Sequence, residues 1–134
     1  MSSFLDANIV IRYLVGDEPS LAERAAGIVD HVEDLLVAPV VLAEIAYVLA
    51  SVYRIPREPL VDQLITFVQK DNISVSGISD KGLVIQALLL CRPSSRVSFA
   101  DAMVWALATS SGARVVYSFD ESFPSDGLEV RQNP

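Results

Sequence analysis

Short apolar runs alternate with longer helical patterns along the whole chain, and that alternation constrains the fold more than any other feature. Ser2–Leu5 reads as a first strand. Ala7–Val15 follows as a helix, with Ile9, Val10, Tyr13 and Leu14 at helical spacing. Pro19–Glu33 is amphipathic, with Leu21, Ala25, Ile28 and Val32 on one side. Leu35–Ala38 is a second strand, and Pro39 suits the first turn of the almost wholly apolar helix Val40–Tyr53. Pro56–Gln69 is another amphipathic helix and Ile73–Val75 a short strand. Ser79 is placed to cap a helix Lys81–Leu90, and Ser98 to cap Phe99–Ser111, which Gly112 ends. Arg114–Ser118 is a fourth strand and Leu128–Val130 a short fifth. Strands separated by helices pair in parallel through right-handed crossovers. The expectation is an α/β fold: a three-layer α/β/α sandwich around a central four- to five-stranded parallel sheet. No repeat, low-complexity tract or linker divides the chain, so residues 1–134 are expected to form a single domain.

Composition narrows the function classes. At 51% hydrophobic residues the chain fills a real core, which excludes intrinsic disorder. A membrane span is not expected, because the longest uncharged run, Ala102–Ala113, falls short of the roughly 20 residues a spanning helix needs. Met1–Asp6 has neither the basic start nor the apolar stretch of a signal peptide. The lone Cys91 forms no internal disulfide, which fits a reducing cytoplasm, and it is expected in the core or an interface. The lone His31 lies in a charged stretch with no Gly-rich nucleophile turn, so Ser-His-Asp and Cys-His catalysis are disfavoured. A structural zinc site lacks ligands. Ten Lys and Arg against seventeen Asp and Glu give a net charge of −7, so the overall field repels a phosphate backbone. A chain that handles nucleic acid with this charge must turn a local negative region positive.

Four acids stand without basic neighbours. Asp6 directly follows the first strand, and Asp120 follows the fourth, in Ser118-Phe119-Asp120-Glu121-Ser122-Phe123. Glu44 is the only charged side chain between Leu35 and Tyr53, and Asp101 the only one between Val97 and Ala113. In open parallel sheets the carboxyl ends of the strands collect ligands. Placement there, or one turn into the next helix, points all four acids at one edge. Carboxylates a few ångströms apart do not both stay ionised cheaply. A hard divalent cation such as Mg²⁺ or Mn²⁺ relieves that repulsion through oxygen ligands and accepts a substrate phosphate as well. Each acid also has a plainer reading. Glu44, Tyr47, Ser51 and Arg54 can form a narrow wet stripe on a buried helix, as can Ser98, Asp101 and Trp105. Asp6 can be only a helix cap, and Asp120 only a turn residue.

The stretches Phe4-Leu5-Asp6-Ala7-Asn8-Ile9-Val10-Ile11-Arg12-Tyr13-Leu14, Val41-Leu42-Ala43-Glu44-Ile45, Phe99-Ala100-Asp101-Ala102 and Val116–Phe123, in this order and spacing, resemble the PIN domain family. The closest resemblance is to the VapC-type ribonuclease toxins of toxin–antitoxin pairs. The resemblance implies an endoribonuclease dependent on Mg²⁺ or Mn²⁺, with Asp6, Glu44, Asp101 and Asp120 on the family's acidic metal-site positions. Asn8 falls where the family supports the first carboxylate or the substrate phosphate, and Ser118 where it usually has Thr or Ser beside the last Asp. Ala7 departs from the pattern, since many relatives carry Thr or Ser there. The resemblance further implies a homodimer held inactive by a cognate antitoxin. Of the basic residues, Arg12 is the best placed to hold RNA, four residues beyond Asn8 on one helix face; Arg92, Arg96 and Arg114 are further candidates. The helices Val40–Tyr53 and Leu83–Leu90, apolar nearly all round, are either internal or supply a two-fold interface. The competing function is a catalytically silent PIN-like module that binds RNA or scaffolds a partner. A phospho-accepting receiver is disfavoured, because Asp6 lacks a neighbouring acid and the last strand lacks a lysine. A haloacid-dehalogenase-type phosphatase needs Asp-x-Asp where this chain has Asp6-Ala7-Asn8.

Overall fold

The computed structural model describes residues 1–134. Strand β1 (Ser3–Phe4) leads into helix α1 (Ala7–Val15) and helix α2 (Pro19–His31). Next come β2 (Leu35–Val37), α3 (Pro39–Ser51), α4 (Arg57–Val68), β3 (Ile73–Val75), α5 (Lys81–Leu90), α6 (Phe99–Ser110), β4 (Val115–Tyr117) and β5 (Glu129–Arg131). The helix starts follow local chemistry. Proline opens both α2 and α3, where its missing N–H costs nothing. Ser98 caps α6 by accepting from the Asp101 N–H at 3.0 Å. The cap of α5 is Asp80 rather than the expected Ser79: its carboxylate accepts from the Gly82 N–H at 2.8 Å. Being one residue nearer the first turn, Asp80 reaches the second helical N–H.

All strand pairs are parallel, as the alternation requires, but they do not form one sheet. β1, β2 and β3 make a three-stranded sheet in that order, with Ser3 opposite Leu35 and Leu35 opposite Ile73. β4 and β5 make a separate pair, with Tyr117 opposite Arg131. This corrects the expected single sheet of four or five strands. The reason lies in β1, which is two residues long and directs its bonds to one neighbour: Ser3 N–H donates to Asp34 O and Leu5 N–H to Leu36 O. The chain turns into α1 straight afterwards, too soon to build a second ladder on the outer edge.

The core is continuous across both sheets. Leu35, Val37, Ile73 and Val75 pack with Val10, Leu42, Ile45, Leu49, Leu60, Leu64, Phe67, Leu88 and Trp105 in one apolar cluster. α3 packs against both α1 and α6, so the helix carrying Glu44 contacts the helix that follows Asp6 and the helix that carries Asp101. Neither apolar helix is wholly internal. α3 exposes Val40 and Tyr47, and α5 exposes Leu89. No helix is long and apolar enough to cross a membrane.

Candidate active site

Asp101 lies in the first turn of α6, half-buried, its backbone N–H fixed by the Ser98 hydroxyl. The entry to α6 is braced by Arg57, whose Nη1 donates to Cys91 O at 2.9 Å and Val97 O at 3.2 Å. The same guanidinium lies 4.7 Å from the centre of the Phe99 ring. Asp120 sits in the crossover between β4 and β5, a parallel connection made by turns instead of a helix. Those turns are tied down from within. Ser118 Oγ accepts from the Asp120 N–H at 3.1 Å, and Asp120 Oδ1 accepts from the Ser122 hydroxyl at 2.6 Å and its N–H at 2.9 Å. Phe123 is buried beneath, and the Trp105 indole N–H donates to Asp126 O at 2.9 Å, which fastens the far end of the crossover to α6.

These two mountings leave Asp101 and Asp120 as neighbouring carboxylates, each of which bears on the other's titration. Burial, and next the Asp120 carboxylate beside it, push the Asp101 carboxyl above the ordinary aspartate value. Asp120 goes the other way: the Ser122 hydroxyl and then the Ser122 N–H hold it below that value. Two neighbouring acids with opposed shifts titrate as a pair.

Asp6 occupies the N-cap position of α1, exposed, and its side chain makes no capping bond. Glu44, Tyr47 and Ser51 are exposed on α3, and Arg54 is exposed after the helix has ended, so the wet stripe read from the sequence runs only as far as Ser51. No three His, Cys, Asp or Glu side chains stand close enough together to hold an ion jointly. The structure therefore joins two of the four acids and leaves Asp6 and Glu44 outside the pair, where exposed like charges are free to stand apart. None of the four is in an ion pair with a Lys or Arg. A close, oxygen-only pair with uncompensated negative charge is the donor set that suits a hard divalent cation, and Asp101 and Asp120 fit one on those grounds.

Asn8 and Arg12 line one 330 Å³ groove between α1 and α2, with Arg24 opposite. Arg12 is not free: its Nη1 lies 3.1 Å from Asp17 and 3.4 Å from Glu18. Arg92 is likewise committed to Asp62, at 2.9 Å. Arg96 and Arg114 make no ion pair. Trp105, read as part of a wet stripe, is 1% exposed and meets only one polar atom. The sequence reading missed Ser122, Arg57 and Trp105 as residues that set the site. Ser122 had a signal, since an Asp followed two residues later by a small polar residue is an Asx-turn pattern. The other two had none.

Parallel strands alternating with helices define an α/β protein, with an acid pair formed between the first turn of α6 and the loop after β4. The chain belongs to the PIN domain family, whose model matches residues 3–125. Proteins of this family are commonly nucleases and typically use divalent metals. No curated protein gives a significant match to the chain.

Proposed function

We propose that the protein is a divalent-metal-dependent endoribonuclease, the toxin of a VapC-type pair, which hydrolyses RNA phosphodiester bonds at the Asp101–Asp120 pair. The observation that carries this reading is the pair itself: two neighbouring carboxylates, one pushed up and one held down, with no Lys or Arg ion-paired to either. Asp101 and Asp120 would hold the cation, and Asp6 and Glu44, which the resemblance adds as ligands, would have to move toward the pair to join them. When bound, Mg²⁺ or Mn²⁺ supplies Lewis acidity, making water a usable nucleophile at neutral pH and offsetting charge on the phosphodiester. The chain's own contribution is placement. Ser98 and Arg57 fix Asp101, and Ser118, Ser122 and Trp105 fix Asp120. On this reading Asn8 and Ser118 would contact the substrate, and Arg12 would reach it only by leaving Asp17.

RNA, a cognate antitoxin and a second copy of the chain are the partners this reading carries, in the cytoplasm. Val40 and Tyr47 on α3 and Leu89 on α5 supply exposed apolar surface that suits a two-fold contact. The acidic surface suits an antitoxin segment bearing Arg or Lys. The second reading, a silent RNA-binding or scaffolding module, is favoured by one observation: only two of the four acids meet. RNA cleavage with Mg²⁺ or Mn²⁺, with chelator, and with Asp6→Asn and Asp101→Asn separates the two. The nuclease reading expects cleavage that chelator and both substitutions abolish while the fold persists. RNA or partner binding with no cleavage under any of these conditions supports the module.

A further inference from the structure

Phe119 stands between Ser118 and Asp120 with 85% of its surface exposed, and Tyr117, two residues earlier, is 61% exposed. Neither ring joins the core cluster. Tyr117 ends β4 and Phe119 lies in the bend just after it, and both line the same cleft. An exposed phenyl ring is common on a floppy loop, but this one is held from both sides. Ser118 N–H donates to Arg131 O at 3.0 Å, Asp120 N–H to Ser118 Oγ, and Phe123 N–H to Asp120 O at 3.1 Å. The same contacts that mount Asp120 therefore mount Phe119. Tyr117, Ser118, Phe119, Arg131 and Gln132 line a cleft of 250 Å³. Arg131 lies opposite Tyr117 across the strand pair, and Glu129 fixes its guanidinium through bonds of 2.8 and 2.9 Å. Gln132 brings an amide with both a donor and an acceptor.

We propose that this cleft takes an unpaired base of single-stranded RNA adjacent to the scissile phosphate, with Phe119 as its stacking face. The proposal rests on the ribonuclease reading and names how that site positions its substrate. Three features select a base over a protein partner. The cleft is too small for a helix or strand. Its apolar surface is broken up by Ser118, Arg131 and Gln132, which suit a base with a π-face and polar edges. It also includes Ser118 and Phe119, which immediately precede Asp120 in the chain. Phe119 is a positioning residue: it touches the substrate's base and not the reacting atoms. Stacking on an aromatic tolerates any base, so Phe119 supplies grip, and Arg131 and Gln132 supply what base preference there is.

The test uses the full chain with Ca²⁺ in place of Mg²⁺, since Ca²⁺ takes the same oxygen ligands, and a fluorescent six-nucleotide oligouridylate with a cleavage-resistant backbone, alongside the same RNA carrying abasic sites. Phe119→Ala should weaken binding of the intact RNA on the order of tenfold. Phe119→Leu should weaken it comparably, and Phe119→Trp should restore it with indole fluorescence quenched on binding. All three variants should melt like the parent, because the side chain packs on nothing. Equal binding of Phe119→Ala, rescue by Leu as full as by Trp, undiminished affinity for the abasic RNA, or no binding by the parent would each overturn the proposal. So would a loss of self-association in Phe119→Ala with RNA affinity unchanged, which would assign the patch to a second copy. Cleavage in Mg²⁺ is scored separately. Binding that depends on Phe119 without cleavage keeps the stacking cleft and removes the nuclease. Cleavage with kcat and KM unmoved by Phe119→Ala keeps the nuclease and removes the cleft.

Discussion

Replacing Trp105 by Phe should weaken the fold and the site together, for separable reasons. Trp105 is 1% exposed, and its indole N–H donates to Asp126 O at 2.9 Å. Phe keeps one ring and removes about 40 Å³, which leaves a void costing about 1 kcal/mol at roughly 24 cal/mol per Å³. The lost apolar contact costs about 1 kcal/mol more, since a buried methylene is worth about 0.8 kcal/mol. The lost hydrogen bond adds about 1 kcal/mol, toward the middle of the usual range because water can reach the exposed Asp126 carbonyl. The total is about 3 kcal/mol, and for a chain of 134 residues that lowers Tm by about 10 °C.

The site should respond beyond that loss. Trp105 fastens the far end of the crossover that carries Asp120, so its removal leaves the crossover tied mainly at Ser118 and by the Phe123 side chain. Hydrogen exchange at the Phe123 amide, which donates to Asp120 O at 3.1 Å, should quicken well before global unfolding. RNA cleavage, assayed far below the melting temperature, should fall several-fold in kcat. Leu60→Ala on α4 is the control. Leu60 is fully buried, so the substitution costs about 2–5 kcal/mol, but it makes none of the hydrogen bonds that hold the crossover. If the two variants lose equal stability and equal kcat, or if the Phe123 amide stays as protected in Trp105→Phe as in the control, the assigned role of Trp105 is wrong.

Asp101→Asn should raise Tm at pH 7 while abolishing cleavage. A carboxyl whose folded pKa is raised contributes stability only below its unfolded value and loses it as pH rises, so the advantage of Asn must shrink as pH falls through the acid range. A lower Tm at pH 7 would refute the repulsion. Ser122→Ala should act in the opposite sense. Asp120 is held low, so its stabilisation is present above the ordinary aspartate value and lost on acidification; the variant should melt lower at neutral pH and converge with the parent in strong acid. The Cys91 thiol, pushed up to about 11 by burial, should resist thiol reagents at pH 8 until the chain unfolds, then react as a single group. Prompt reaction in the native protein would contradict its placement. Asp80→Ala should cost about 1 kcal/mol and Ser79→Ala less than about 0.5 kcal/mol, read from paired denaturant melts.

Local chemistry was legible in the sequence and non-local pairing was not. The helices begin and end within a residue or two of the reading because Pro19, Pro39, Ser98 and Gly112 are chemical punctuation. The exception, Ser79 against Asp80, involves two adjacent residues that both cap well, and the choice depends on which side chain reaches the Gly82 N–H. Strand existence was legible too, but not the break between β1 and β4, because a ladder depends on how long β1 stays extended before α1 begins. At the site, the isolation of Asp101 and Asp120 from basic neighbours marked them, and they meet. Asp6 and Glu44 carried the same mark without meeting that pair. Trp105 was misread because the sequence records an indole N–H without saying that a backbone carbonyl arrives to accept from it.

Charge then sets what kind of RNA contact this surface can support. Arg12 is held by Asp17 and Glu18, Lys70 by Asp30, Arg92 by Asp62, and Arg131 by Glu129. Arg57 is spent on the carbonyls that lead into α6, and Lys81 donates to the Lys70 carbonyl. Of the ten basic residues, Arg24, Arg54, Arg96 and Arg114 are left without such bonds, against a net charge of −7. Tight non-specific binding relies on neutralising many phosphates along a duplex or strand, and four scattered arginines do not do that. On the ribonuclease reading, affinity therefore has to come from contacts whose strength does not depend on the overall field: a cation at Asp101 and Asp120, and a base stacked one residue away on Phe119. Both act over a nucleotide or two. A site built this way holds RNA only where an unpaired base and its phosphate are presented together, as in a loop, and has little hold on a regular helix, whose bases are stacked and inaccessible.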